Sequence, residues 1–176
     1  MNKKMIFWLV GAALLGGGWV WQFVMHGAGE IKVPYKDQAI YLAEQGRDHL
    51  DLGVDHPPYS SIPPTSGWHT PDSHVWGVSK DPIPDEIQVH NLEHGGIMIQ
   101  YKPGIDKSTG NNIIEKLEEI GRRYKSKVIV APYPKLGKNI ALTAWTYLDK
   151  FNDFDENRIV GFIAAHIDQG PEFVPD

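Results

Sequence analysis

The sequence predicts an α+β or α/β domain, a small mixed sheet of three to five strands with two or three helices, preceded by one N-terminal transmembrane helix. Three observations predict it. Short β-rich or apolar runs occur at 96–101, 127–131 and 139–146, helix-period stretches occupy 111–124 and 155–166, and a long uninterrupted apolar run lies near the N-terminus. Hydrophobic content of 41% and charged content of 22% are those of a chain that folds.

The apolar run comes first. Lys3 and Lys4 precede Met5–Met25, where Gln22 is the only strongly polar side chain. As a helix rising about 1.5 Å per residue this run reaches roughly 31 Å, enough to cross a bilayer core. The lysines stay cytoplasmic and the rest of the chain lies outside. A cleaved signal peptide is the competing reading, but its apolar region is usually about 7–15 residues and ends at a small-x-small site. This run is longer, carries Trp19 and Trp21 near its far end and has no clean cleavage pattern. The expected organisation is an anchor over 1–26, a linker over 27–35 and an extracytoplasmic globular domain over 36–176.

Lys36 to Leu50 reads as a helix with Ile40, Leu42, Ala43 and Leu50 as its apolar positions, interrupted by Gly46. From Gly53 to Pro84 periodicity disappears and seven prolines accumulate. Such a stretch inside a small domain is usually functional or disordered. Tyr59, Trp68 and Trp76 argue for order, and proline lowers the entropic cost of fixing a loop, so a rigid surface loop that positions a few side chains is expected.

Glu86 to His90 reads as a strand. Gly96 to Tyr101 is a stronger one, with Ile97, Ile99 and Tyr101 on one face and Met98 and Gln100 on the other. Asn111 to Tyr124 reads as a helix, with Ile113, Ile114, Leu117 and Ile120 at helical spacing after Ser108-Thr109-Gly110. Lys127 to Ala131 is a β-branched run closed by Pro132, and Asn139 to Thr146 is a further apolar run that suits a strand. Asp155 suits an N-cap, and Ile159, Phe162, Ile163 and His166 then share one helical face. There is no internal repeat and no low-complexity segment.

Bulk chemistry removes several function classes. A net charge of −5 disfavours nucleic acid, whose phosphates require a basic face. The absence of cysteine excludes disulfides, cysteine-type zinc sites, iron–sulfur clusters and thiol nucleophiles. No Gly-x-Ser-x-Gly, no phosphate-cradling loop in the body and no paired carboxylates stand out.

What remains is histidine, eight in all. His90-Asn91-Leu92-Glu93-His94-Gly95-Gly96 sets two imidazoles four residues apart around a carboxylate. In a helical turn the pair shares one face and can share a metal. The H-x-x-E-H spacing resembles a permuted zincin motif with Glu93 as general base, but those motifs sit on a long helix, and the glycines end any helix here at once. Glu93 is equally suited to orient a ligating imidazole or to supply a ligand oxygen. Pro63-Pro64-Thr65-Ser66-Gly67-Trp68-His69 is stiff, then turns at Gly67, and presents His69. Met98 offers a thioether suited to Cu(I), or is an ordinary core residue. His166, on an apolar helix face, reads as a core histidine, His56 and His74 as surface residues, and His26 as a membrane-boundary residue.

Together with Leu142-Thr143-Ala144-Trp145 and Pro171-Glu172, these two motifs resemble the membrane-anchored bacterial and archaeal family catalogued as domain of unknown function 3105. The resemblance runs from about Gly46 to Glu172 and maps the family's motif positions onto His49, His69, His90, Glu93, His94 and Trp145. It raises His49 above what its spacing implies, does not include Met98 or His166, and implies no activity.

The leading expectation is a membrane-anchored, extracytoplasmic metal-binding protein that binds, delivers or confers tolerance to copper, with zinc second. His69, His90 and His94 are its expected ligands, and His49 and Met98 are candidates for a fourth. Its expected partners are the metal ion and the membrane, with no nucleic acid. Binding should weaken as pH falls through about 6.5, because ligating imidazoles must be neutral. The alternatives are a metal-dependent hydrolase with Glu93 as base, and a peptide- or glycan-binding module built on Trp68, Trp76 and Trp145.

Overall fold

The computed structural model describes residues 36–172 and Val174. The expected anchor, 1–26, and linker, 27–35, lie outside the described residues. Among the described residues no helix is long and apolar enough to cross a membrane.

The described residues form a mixed α+β domain. In chain order the elements are β1 (Ile40–Tyr41), β2 (Gly77–Val78), α1 (Asp85–Glu93), β3 (Ile97–Tyr101), α2 (Ile105–Thr109), α3 (Ile113–Gly121), β4 (Val128–Pro132), β5 (Ile140–Ala144), β6 (Tyr147–Phe151) and α4 (Glu156–His166). The strands make one six-stranded sheet in the order β1-β6-β5-β3-β4-β2. Its β2, β4 and β3 are parallel, and β5, β6 and β1 continue it antiparallel.

The expected alternation in β3 is present and divides the core. Ile97, Ile99 and Tyr101 face Leu117 and Ile120 of α3 and Ile159 and Phe162 of α4. Met98 faces the other way, into a smaller cluster with Val89 and Leu92 of α1, Ile129, Ala131 and Trp145. Helices therefore cover both faces of the central strands, and all five residues of β3 are buried. Asp155 caps α4 as expected, its side chain accepting from the Arg158 N–H at 3.0 Å.

Several expectations are corrected. The strand expected at Glu86–His90 is the helix α1. Its apolar residues Ile87 and Val89 alternate like a strand, but Val89 and Leu92, three apart, are what packs into the smaller cluster. Pro84 at the N-cap with Asp85 and Glu86 in the first turn are helix-start signals, favourable to the helix dipole, that outweigh the short alternation. The helix expected over Lys36–Leu50 is irregular apart from β1, an edge strand paired with Tyr147 and Leu148. Gly46 has φ +95°, outside any right-handed helix.

The sheet has six strands rather than three to five, with four helices rather than two or three. Two of the extra strands are two residues long, too short to carry a period. The run read as one strand over 139–146 is β5 plus a tight turn into β6. That turn uses Thr146 at φ +64° instead of the Asn-Gly or Asp-Gly pair that marks hairpins. The proline-rich stretch is a loop, but its Thr65, Ser66, His69 and Thr70 are buried rather than on the surface.

Candidate metal centre

The loop before β2 delivers His69. The Ile62–Pro63 peptide bond is cis, and the chain then dives under Thr146, whose N–H donates to the Thr65 carbonyl at 3.0 Å. Gly67 turns at φ +118°, a conformation side-chain-bearing residues rarely adopt. A Cβ there would also press on Gln45 Cβ and the Tyr59 ring, each at 3.3 Å. The turn buries His69 completely.

His49 is brought alongside by the backbone. The His69 N–H donates to the Asp48 carbonyl at 3.1 Å, and the Leu50 N–H donates to the His69 carbonyl at 2.8 Å. Gln45 extends the clasp: its N–H donates to Ser66 Oγ at 3.1 Å, and its side-chain oxygen accepts from the Ser60 N–H at 2.6 Å. Segment 44–50 thus lies against the loop without any regular element of its own.

The helix α1 supplies His90 and Glu93, three residues apart and on one face. Its last six residues, Gln88 to Glu93, are all buried. Buried polar groups need partners, so each can be accounted for. Gln88 donates to the Ile83 carbonyl at 2.6 Å and accepts from Gln100. Asn91 clamps the His74 backbone from both sides, accepting at 2.8 Å and donating at 2.9 Å. Glu93 meets His69. His90 Nδ1 is left over, buried with no hydrogen-bond partner among the described residues.

Gly95 and Gly96 end the helix and let neighbours close in. Gly95 has φ +78°, and a Cβ on it would lie 2.7 Å from Asp168 Cα. The segment after α4 crosses there, with the Asp168 N–H donating to the Gly95 carbonyl at 2.9 Å and the Glu172 N–H to the Glu93 carbonyl at 3.1 Å. Lys127, buried to 4% exposure, donates from Nζ to the His94 carbonyl at 2.8 Å and the Val174 carbonyl at 2.7 Å. A cation at a helix C-terminus is favourably placed.

These elements converge. One ligand atom from each of His49, His69, His90 and Glu93 lies within 4.8 Å of all the others. Glu93 Oε2 is 2.9 Å from His69 Nε2 and 3.8 Å from His49 Nε2. The His90 ring centroid is 5.5 Å from that of His49 and 5.4 Å from that of His69. His49 is the exposed member, its side chain 48% accessible, while Glu93 and the other two are buried.

The chemistry of this group is that of a cation site. A neutral imidazole has one N–H and one lone pair. His69 faces two groups that only accept, the Gly67 carbonyl 2.7 Å from Nδ1 and the Glu93 carboxylate 2.9 Å from Nε2. With its proton on Nδ1 for the carbonyl, its Nε2 lone pair confronts a carboxylate oxygen. That contact calls for a proton or a metal cation. Burial first, and then the neighbouring His94, His69 and His49 rings, push His90 down to about 4, so it is a neutral ligand at pH 7. Donors about 2.0–2.1 Å from a tetrahedral ion stand about 3.3 Å apart, a spacing that the two Glu93 distances bracket.

His49, His69 and His90 come together as expected; His94 and Met98 take other places. His94 is the C-cap residue of α1, stacked edge-on to His90 at 4.3 Å between centroids, and its ligand atom groups with Glu93 and Glu172. Met98 is fully buried among the aliphatic residues of the smaller cluster. His166 is a core histidine, accepting or donating at 2.9 Å with Asp37 and flanked by the Phe162 and Tyr147 rings. His56 and His74 are half-buried rather than on the surface.

Trp145 is buried at 6% exposure, with its N–H on Glu44 at 3.1 Å and its ring 6.5 Å from that of His69. Sequence reasoning missed Gln45 and Asn91, which set the loop positions. The Asn in the His-Asn-Leu-Glu-His run was the available signal for the second.

No curated protein and no solved structure matches the chain. The model of one family matches residues 55–175, a range that holds His69, His90, Glu93 and His94 and begins just after His49. The chain belongs to that family, described as a protein of unknown function, DUF3105.

Proposed function

We propose that the domain binds a transition-metal ion through His49, His69, His90 and Glu93, and that it carries or sequesters that ion rather than using it in catalysis. The observation that carries this reading is the confrontation of His69 Nε2 with Glu93 Oε2 at 2.9 Å while the Gly67 carbonyl claims the other ring nitrogen. Four protein donors suit a closed site, whereas catalytic sites keep a position open. Glu93 acting as a ligand is not available as a general base, which weakens the hydrolase alternative. The buried Trp145 weakens a tryptophan-lined groove.

Copper remains the first choice and zinc the second, now on different grounds. With Met98 in the core the thioether argument for Cu(I) loses its support. Three imidazoles and a carboxylate are borderline donors, and a given N/O site binds Cu(II) more tightly than Zn(II). The half-exposed His49 gives the ion a side from which to enter and leave. The apolar run over 5–25 would hold this carrier on the outer face of a membrane.

The test is metal titration of the full-length chain, kept in mild detergent and purified without a metal-binding tag. Stoichiometric, high-affinity Cu(II) or Zn(II) binding that His69→Ala abolishes supports the reading. Micromolar or tighter binding that survives loss of both His69 and His90 overturns it.

A further inference from the structure

We infer that Glu93, His94 and Glu172 form a second cation site, joined to the first through Glu93, so that the domain holds a pair of metal ions. This rests on the metal-binding reading above and extends it. One ligand atom from each of these three residues lies within 4.8 Å of the others, and Glu93 is the residue common to both groups. A carboxylate has two oxygens and can serve two ions. Its Oε2 is the atom near His49 and His69.

The second group is built and not incidental. Glu172 is carried to His94 by the segment after α4, and that segment is pinned at three points. The Asp168 and Glu172 N–H groups donate to the carbonyls of Gly95 and Glu93, at 2.9 and 3.1 Å. Gly170 lies so close that a Cβ on it would meet the Glu93 carbonyl oxygen and the Gly95 nitrogen at 2.2 Å each. Only a glycine allows this approach, and the approach sets Glu172 Oε2 3.5 Å from His94 Nε2.

His90 stands between the two groups. Its ring lies 5.4 and 5.5 Å from those of His69 and His49 on one side and 4.3 Å from that of His94 on the other. It is 6% exposed, and its Nδ1 is the one side-chain atom of α1 buried without a hydrogen-bond partner.

The two groups differ in character. The first has three imidazoles to one carboxylate and is mostly buried. The second has one imidazole to two carboxylates, with Glu172 56% exposed. Carboxylate-rich sites hold ions more loosely and exchange them faster than imidazole sites of the same metal. The second site is therefore the outer, weaker member of the pair, and solvent completes its coordination.

The experiment counts ions and reads their coupling. Elemental analysis and Cu(II) titration of the full-length chain should give two ions per chain, with an electron paramagnetic resonance signal reduced or broadened by the neighbouring spin once the second ion enters. Glu172→Gln should lower the count to one and restore the signal of an isolated Cu(II), while the first ion's affinity changes less than tenfold. Circular dichroism checks that this exposed substitution leaves the fold intact. One ion per chain in the unaltered protein, with an isolated signal that Glu172→Gln does not change, overturns the pair and leaves the first site standing. No bound ion in either protein overturns the metal-binding reading itself, and the pair with it.

Discussion

Glu93→Gln separates metal binding from folding, because the substitution answers the same contact in a different way. In the unaltered protein His69 has one proton for two acceptors, Gly67 O and Glu93 Oε2. A cation, proton or metal, must serve the second. A glutamine amide is a donor as well as an acceptor. It can donate to the His69 Nε2 lone pair across the same gap while Nδ1–H keeps the Gly67 carbonyl. The variant therefore needs no cation there, and its metal-free form should lie within about 1 kcal/mol of the unaltered protein.

The metal response should behave in the opposite way. A ligand at a hundred times its Kd stabilises a protein by about 2.7 kcal/mol. In a body of this size each kcal/mol moves the melting temperature by about 3 °C, so saturating metal should raise it by about 8 °C. Losing a charged ligand oxygen from a buried site weakens binding by about a thousandfold, equivalent to about 4 kcal/mol. At the same metal concentration the variant is then mostly unloaded, and its shift falls below about 1 °C. Differential scanning calorimetry with and without Cu(II) or Zn(II) measures both quantities. A variant that keeps the full metal-induced rise, or whose metal-free form loses several kcal/mol, would refute the argument from the His69 contact.

Three further outcomes follow from the geometry. Met98→Leu conserves volume in the smaller cluster, so it should cost under about 1.5 kcal/mol and leave Cu(I), Cu(II) and Zn(II) affinities unchanged in competition titrations; a loss of Cu(I) affinity alone would return the thioether to the site. Gly67→Ala forces a side chain into φ +118° against Gln45 and Tyr59, and should lower stability in urea unfolding by about 1–3 kcal/mol while weakening metal binding through His69. His90 is held down at about 4, below the ordinary histidine value near 6.5, so between those values the unfolded chain binds more protons than the folded one. Its contribution is fully present above pH 6.5 and is lost as pH falls towards 4; urea midpoints of the metal-free protein should fall across that window, and His90→Asn should flatten the slope.

The sheet was legible where strands carry their own period. Ile97 to Tyr101 and Val128 to Pro132 announce themselves by alternation and β-branching. The two-residue strands β1 and β2 hold no such signal, since their pairing is decided by what lies beside them. The Glu86–His90 segment shows the limit of a short window, because five alternating residues fit a strand until Leu92 and the helix-start residues are weighed with them. Of the site, His69 and His90 were readable as motif histidines and His49 only through the family resemblance. What fixes His49 is a pair of backbone hydrogen bonds to residue 69, between two irregular segments, and such bonds leave no periodic trace in either.

The placement of His94 carries the more general point. Spacing four residues apart suggests that His90 and His94 share one ion, and on a continuing helix they would. The helix does not continue. His94 is its cap at φ −80° and ψ 15°, followed by Gly95 in the left-handed region, so its Cα–Cβ direction no longer follows the helical screw. The partner that His90 keeps is Glu93, the last residue still inside α1. The glycines that made the motif conspicuous are thus the reason its two histidines go to different groups. They end the helix one residue too early for a shared ligand face, and they admit the segment that brings Glu172 to the imidazole left outside.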